Sequence, residues 1–359
     1  TNPAVENLRR KVTAEHAEFV TITKFLSKDV SNDCDILCLD ECSTISNRDM
    51  VRVLQRAQCK LLVLVGDIYQ IESILFGNWF NIAYKVMPKD SVAELTRPHR
   101  TTVQGLIEVW NKVREITEDR LEFITRNGLS STLDESIFSR TEEDEIVLCL
   151  NYDGIYGINN INKFLQSNNV NPSINWGVLS YKVGDPVLFN ESNRFAPLVY
   201  NNLKGKILQI EEEEDCIYFT IEVYTVLNEL DVIGFDLELK ESVTDETSVI
   251  RFKVGRGGDG NDDNDNVENV VPFQVAYAIS IHKAQGLEYE SVKVVITSEI
   301  EEMVSHNIFY TAITRAKSKL KIYWSPETEK RILENMKVQF NDKDYQLFKA
   351  KYKEALLKS

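Results

Sequence analysis

The chain has 359 residues, 43% hydrophobic and 27% charged, a globular composition with more sequence than one ordinary core holds. No apolar run approaches the roughly 18 residues of a membrane helix and no signal peptide opens the sequence, so no membrane partner is expected. A formal net charge of −15 argues against a sticky, sequence-independent nucleic-acid binder while leaving room for a local basic groove, and six cysteines without a dense disulfide framework fit a reducing, cytoplasmic compartment.

Along the chain, short apolar runs end in polar signatures. "CDILCLDEC" predicts a strand ending at Asp40 and Glu41, and "RDMVRVLQRA" a helix after it. "KLLVLVGD" predicts a second strand ending at Asp67, with Gln70 close behind, and "TVQGLIEVWNKVREI" a further helix. "EIVLCLNYD" is a strand ending at Asn151, "VAYAIS" one ending at His282, and "SVKVVITS" one ending at Ser298. These runs are apolar on both faces, as buried parallel strands are. Alternation of strand and helix implies α/β architecture, in which ligands sit at the carboxyl ends of the strands. Residues 181–272 break the rhythm with "YKVGDPVLFN", "GKILQIEEEEDCIYFTIEVYTVL", "GFDLELK" and "TSVIRFKV", strands with no helix between them. They predict a small antiparallel barrel inserted into the second α/β domain. Within that stretch "GDGNDDNDNVEN" (258–269) predicts a flexible acidic loop without the ligand spacing of a calcium site. "KDYQLFKAKYKEALLKS" predicts an amphipathic terminal helix with a basic end.

The chemistry gathers at these strand ends. In "LDECS", two adjacent carboxylates can hold a magnesium–nucleotide complex and orient a water; an acidic pair can also simply cap a helix. Cys34 and Cys38 share a strand face and Cys42 lies beyond the strand end; without a fourth ligand they read as buried structural cysteines. In "ISIHKAQGLEYESV", His282, Lys283 and Gln285 are donors suited to phosphates, and Gly286 lets backbone approach a ligand. The bland alternative is a polar turn with an incidental glycine. Arg315 in "FYTAITRAKSKL" and Arg100 in "LTRPHR" could likewise be surface arginines on helices.

In order, "LDECS", "LVGDIYQIES", "ELTRPHRTT", "SIHKAQGLEYESV" and "FYTAITRAKSKL" resemble the motifs of superfamily-one helicases, most closely the RecD/Dda-like branch. The resemblance implies two RecA-like parallel-sheet motor domains, the first incomplete, with a small β-barrel inserted in the second. The implied spans are 1–95 for the first motor domain and 96–180 with 273–330 for the second. A Src-homology-3-like barrel would occupy 181–272 and a terminal helix 331–359. It implies an ATP-dependent helicase or translocase, cytoplasmic, with ATP and Mg2+ as cofactors. The partner would be single-stranded or forked DNA, travelled 5′ to 3′, with RNA as the alternative strand. By the same resemblance Asp40 holds magnesium, Glu41 activates the water and Gln70 senses the γ-phosphate. Arg100 reaches the phosphates, Arg315 is the arginine finger, and Asp67, Gly286 and Glu288 contact nucleotide. Strand contacts would come from Thr1, Asn2 and Pro3 in "TNPAV", Thr21 and Thr23 in "TITKF", and His282 and Lys283. The family usually has His where Thr23 stands.

One expected part is missing. No G-x-x-x-x-G-K-[ST] phosphate-binding loop occurs in the 359 residues; "LKGKI" lacks the hydroxyl residue and falls in the expected barrel. The sequence therefore reads as the portion after that loop, its first domain completed by further sequence or by another chain. The opposing reading is a non-catalytic nucleic-acid-binding or assembly module that keeps a decayed motor fold.

Overall fold

The computed structural model describes residues 4–5, 8–9, 12, 14–27, 33–71, 77–96, 99–190, 194–242, 244–256, 269–337 and 342–356. Thr1, Asn2 and Pro3, and most of the acidic loop at 258–269, lie outside these residues. The chain divides into two units, one of Pro3–Thr132 with Ile296–Ser359 and the other of Leu133–Val295.

The first unit begins with α1 (Ile22–Phe25), β1 (Asp33–Leu39), α2 (Asn47–Arg56), β2 (Gln58–Leu64) and α3 (Trp79–Val86). It continues through α4 (Gln104–Arg114), α5 (Arg120–Arg126) and the short β3 (Ser130–Ser131). β1 and β2 pair in parallel from Asp33↔Gln58 to Leu39↔Leu64, the geometry that an intervening helix permits. That helix is capped by Ser46, whose hydroxyl accepts from the Asp49 amide at 3.1 Å and donates to the Asp49 carboxylate at 2.9 Å. One face of the pair, through Leu37, Leu39, Leu62 and Leu64, joins a core with Phe25, Cys42, Met50 and Val53. The opposite face differs from expectation. Ile36 and Leu61, register partners there, are 61% and 52% exposed. Both strands are apolar on two faces, but among the described residues only one face is covered. Of the cysteines taken as buried, Cys42 is buried, Cys34 half-buried and Cys38 exposed, and all six are free thiols.

The second unit opens with β4 (Glu145–Cys149), buried along its whole length, and the crossover helix α6 (Ile158–Ser167). The hairpin β5 (Ser173–Trp176) and β6 (Leu179–Lys182) turns at Gly177, whose φ of 62° suits glycine. Next come β7 (Pro186–Phe189), β8 (Lys204–Glu212), β9 (Cys216–Val223), β10 (Glu238–Lys240), β11 (Ser248–Gly255) and β12 (Phe273–Val275). They form one antiparallel sheet in the order β10-β11-β9-β8-β7-β12. β9 alternates strictly, sending Ile217, Phe219, Ile221 and Val223 into an aromatic core with Phe189, Phe195, Phe252 and Phe273. Where a closed barrel was expected, the described pairings leave β10 and β12 as edges. The chain then returns to β13 (Ala278–Ser280) and β14 (Tyr289–Val295), which flank β4 on either side in parallel. The antiparallel sheet is thus an insertion between parallel neighbours, and Gly205–Lys206 of "LKGKI" lies inside β8, not in a phosphate loop.

Asp185 anchors the insertion. Fully buried, it accepts from Gln166 Nε2 at 2.5 Å, Asn169 Nδ2 at 2.9 Å, Tyr277 Oη at 2.8 Å and the Lys182 amide at 2.9 Å. Asp185→Ala would strand these donors without water. It should lower the stability of this unit by on the order of 3 kcal/mol, read as a lower urea midpoint at unchanged slope. An unchanged midpoint would refute this anchoring role.

The first unit resumes with α7 (His306–Ile313), β15 (Ala316–Tyr323), α8 (Pro326–Asn335) and α9 (Asp342–Leu356). β15 pairs in parallel with β3, and Phe309 of α7 stacks on Trp324 with centroids 5.6 Å apart. α9 is tied to the start of α3, where Asn78 Nδ2 donates to Asp344 at 2.6 Å. Among the described residues no helix is long and apolar enough to cross a membrane.

Candidate functional site

β1 delivers Asp40 and Glu41 to its carboxyl end. Glu41 has φ 54°, the left-handed region that a non-glycine residue rarely occupies. Such a conformation persists only where its surroundings hold it, and here the Glu41 amide donates to Asp40 Oδ1 at 2.8 Å. The neighbouring strand end is locked to it: the Cys42 amide donates to the Val65 carbonyl and the Val65 amide to the Leu39 carbonyl, both at 2.8 Å. Gly66 makes this approach possible, because a Cβ there would stand 2.9 Å from the Phe80 ring and 3.0 Å from the Cys42 amide nitrogen.

β2 delivers Asp67 and, one turn on, Gln70. Asp67 accepts from the Tyr69 amide at 2.9 Å and from Gln70 Nε2 at 3.2 Å. Gln70 is thereby aimed, and its Oε1 is buried without a hydrogen-bond partner among the described residues. A buried acceptor without a protein donor costs free energy unless a water or a ligand donor satisfies it.

Arg100 and Arg315 complete the cluster. The bland alternative of a surface arginine on a helix does not describe Arg315. α7 stops at Ile313, β15 starts at Ala316, and Arg315 sits at the junction only 1% exposed. Its Nε donates to the Thr311 carbonyl at 3.0 Å and its Nη2 to Thr314 Oγ1 at 3.2 Å. Arg100 Nη1 donates to the Thr314 carbonyl at 2.6 Å, so both guanidiniums are organised around one helix terminus. Their charges are felt at Glu41. Burial pushes the Glu41 carboxyl above the usual carboxylate range, the Asp40 charge pushes it further, and Arg315 and Arg100 pull it back. A carboxylate with raised proton affinity is suited to accept a proton from water.

Among the described residues no group of three or more His, Cys, Asp or Glu side chains could hold a metal by itself. The donor set at Asp40 fits a different case, a hard cation bound through one carboxylate, waters and phosphate oxygens.

The remaining expected site residues are carried by other elements. Thr21 caps α1, accepting from the Lys24 amide at 3.3 Å, and Thr23 is exposed beside it. His282, Lys283, Gly286 and Glu288 belong to the second unit, in the turn between β13 and β14. His282 is exposed; Lys283 Nζ donates to Gln274 Oε1 at 2.7 Å; the Glu288 carbonyl accepts from Lys204 Nζ at 3.1 Å. Gly286 has φ 80°, so the turn itself requires a glycine. Sequence reasoning missed Tyr69, His306, Asn307 and Thr311, which surround the Gln70 loop. The available signal was the helical spacing of Asn307 and Thr311 ahead of Arg315.

An α/β unit with carboxylates at adjacent parallel strand ends, one buried arginine and one half-buried arginine close by has the layout of a nucleotide-binding protein. Comparison with known proteins agrees. Residues 1–134 match the model of an AAA domain and residues 275–323 that of the UvrD-like helicase C-terminal domain. The chain is 22% identical over 336 residues to the RecD subunit of the RecBCD enzyme of Mycolicibacterium smegmatis, covering 85% of this chain and 52% of that protein. It is 24% identical over 354 residues to an uncharacterised protein of Methanocaldococcus jannaschii, covering 82% of this chain and 29% of that one. The chain therefore spans about half, or less, of the length of these curated relatives. A solved structure concerned with DNA unwinding at forked double-stranded DNA by two coordinating Pif1 helicases matches in fold. The TM-score is 0.50 at 15% identity, over 98% of this chain and 83% of that one. The two family models and the RecD relative make this chain similar to helicases, at its two ends by family and over most of its length by sequence.

Proposed function

We propose that these residues belong to an ATP-dependent helicase or translocase motor that moves on single-stranded DNA, 5′ to 3′. In this reading 1–95 is the first motor domain, 96–180 with 273–330 the second, 181–272 the inserted antiparallel sheet and 331–359 a terminal helix. The carrying observation is the open, buried Oε1 of Gln70 in the unit where Arg315 and Arg100 act on Glu41. The forked DNA named for the structurally similar Pif1 helicases supports DNA as the partner.

Magnesium-bound ATP would supply the phosphoryl group and a cation to neutralise its charge. Asp40 offers that cation a carboxylate. Glu41, with raised proton affinity, accepts the proton of the attacking water. Gln70 meets the phosphate side of the site through its open amide oxygen, by way of water or a cation. Arg315 and Arg100 bring fixed positive charge to the oxygens that gain negative charge. On the strand side, "TNPAV", "TITKF" and His282–Lys283 would supply contacts despite the net charge of −15.

The test is fluorescence anisotropy with a labelled single strand across a salt series. Single-stranded DNA should bind better than duplex, and affinity should fall steeply with salt, by about 0.7 in the log–log slope for each phosphate contacted. A flat dependence would remove the phosphate-tracking groove from the proposal.

A further inference from the structure

The structure assigns Asn307, together with Thr311, as positioning residues that hold the Gln70 loop for hydrolysis. This rests on the motor reading above and adds to it two residues to which that reading gave no role.

Gln70 is held from two directions. Its side chain is fixed by Asp67 through Nε2. Its backbone is fixed by α7: Asn307 Nδ2 donates to the Gln70 carbonyl at 2.8 Å, and Thr311 Oγ1 accepts from the Ile71 amide at 3.0 Å. The two side chains lie four residues apart, hence on one face of the helix, one turn above the other. They grip the two polar groups of a single peptide unit, the carbonyl of Gln70 and the amide that follows it. Aromatic packing supports the same loop, with Tyr69 edge-on to His306 and Tyr310 at centroid distances of 6.1 and 6.2 Å. His306 is itself fixed, its Nε2 2.9 Å from the Val113 carbonyl, and burial lowers its basicity, so it serves as a ring in this packing rather than as a cation.

The same helix ends in the arginine cluster. Thr311, which grips the Ile71 amide through its hydroxyl, receives Arg315 Nε on its carbonyl. Thr314, one residue past the helix, receives Arg100. One rigid element of eight residues therefore sets both the position of the open Gln70 oxygen and the position of the two guanidiniums. Loss of the Asn307 contact frees one end of the loop without touching any group that meets the nucleotide. The consequence should fall on the geometry of the chemical step, where misplacement by about 1 Å costs up to roughly 10²-fold, and not on uniform binding.

The experiment compares wild type, Asn307→Asp, Asn307→Gln and Glu41→Gln in the full-length protein, measuring strand-stimulated ATP turnover. Asn307→Asp keeps the shape and removes the donor. It should lower kcat by about 10- to 100-fold and leave KM for ATP within about twofold. Asn307→Gln keeps an amide donor and should retain most of the turnover. In the 359-residue chain, Thr311→Val should speed exchange of the Ile71 amide hydrogen by about fivefold, the loss expected for one hydrogen bond. Normal kcat in Asn307→Asp beside a dead Glu41→Gln would overturn the positioning role alone. An active Glu41→Gln would overturn the motor reading and this proposal with it. Equal losses in Asn307→Asp and Asn307→Gln, or unchanged Ile71 exchange in Thr311→Val, would also overturn it, since neither outcome depends on the donor.

Discussion

Replacing Glu41 by Gln in the full-length protein should abolish ATP hydrolysis and spare ATP binding. The substitution keeps a polar side chain of the same size on an unusual backbone, φ 54°, and removes only the capacity to take a proton. Burial and the Asp40 charge raise the Glu41 proton affinity, and Arg315 and Arg100 oppose them. The base acts as the carboxylate, so turnover should be lost as pH falls through its pKa, at a higher pH than for an ordinary glutamate. Arg315→Ala acts on the other side of the same charge balance. It should cost roughly 10³ to 10⁵ in turnover, the range for arginine fingers. Because Arg315 is 1% exposed and hydrogen-bonded to Thr311 and Thr314, part of the effect could arise from a disturbed helix terminus. Arg315→Lys separates the two contributions. It keeps the buried charge but not the planar fork, and should remain folded with turnover still well below wild type. Near-normal turnover in Glu41→Gln or Arg315→Ala would sink the assignment.

The sequence made the site legible where chemistry coincides with strand periodicity. Asp40, Glu41 and Asp67 follow the apolar ends of the seven-residue strands β1 and β2, and Gln70 follows within one turn. The insertion was legible for the same reason, since β9 alternates at period two. What stayed hidden depends on partners distant in sequence. Ile36 and Leu61 look like core residues in any window, and their exposure is decided by what covers the sheet. "FYTAITRAKSKL" carries no breaker between its helix and its strand, so the burial of Arg315 at the junction could not be read from composition. Asn307 has no significance until Gln70, 237 positions away, is brought against it.

The 359-residue chain by itself should hydrolyse ATP negligibly. It contains no G-x-x-x-x-G-K-[ST] string, and the one Gly-Lys pair with a loosely similar setting, Gly205–Lys206, is committed to β8. A Cβ on Gly205 would stand 2.9 Å from the Glu222 carbonyl oxygen, so that glycine serves strand packing and not a phosphate. Backbone amides that cradle the β- and γ-phosphates, and the lysine that reaches them, have no substitute among Asp40, Glu41, Gln70, Arg100 and Arg315. Those five residues can stabilise transferred charge, but they cannot fix the nucleotide in line with a water, and positioning is most of phosphoryl-transfer catalysis. The Ile36–Leu61 face, exposed among the described residues, carries a second expectation. The β1–β2 pair has little apolar burial on that side, so amides of Asp33–Leu39 and Gln58–Leu64 should exchange faster than those of the buried strand Glu145–Cys149. The deciding assay sets this chain with single-stranded DNA beside its Asp40→Ala variant. Background turnover in both is the expected result. Robust turnover that disappears in Asp40→Ala would show that these residues already form a complete site, and that the need for a separate phosphate-binding loop is wrong.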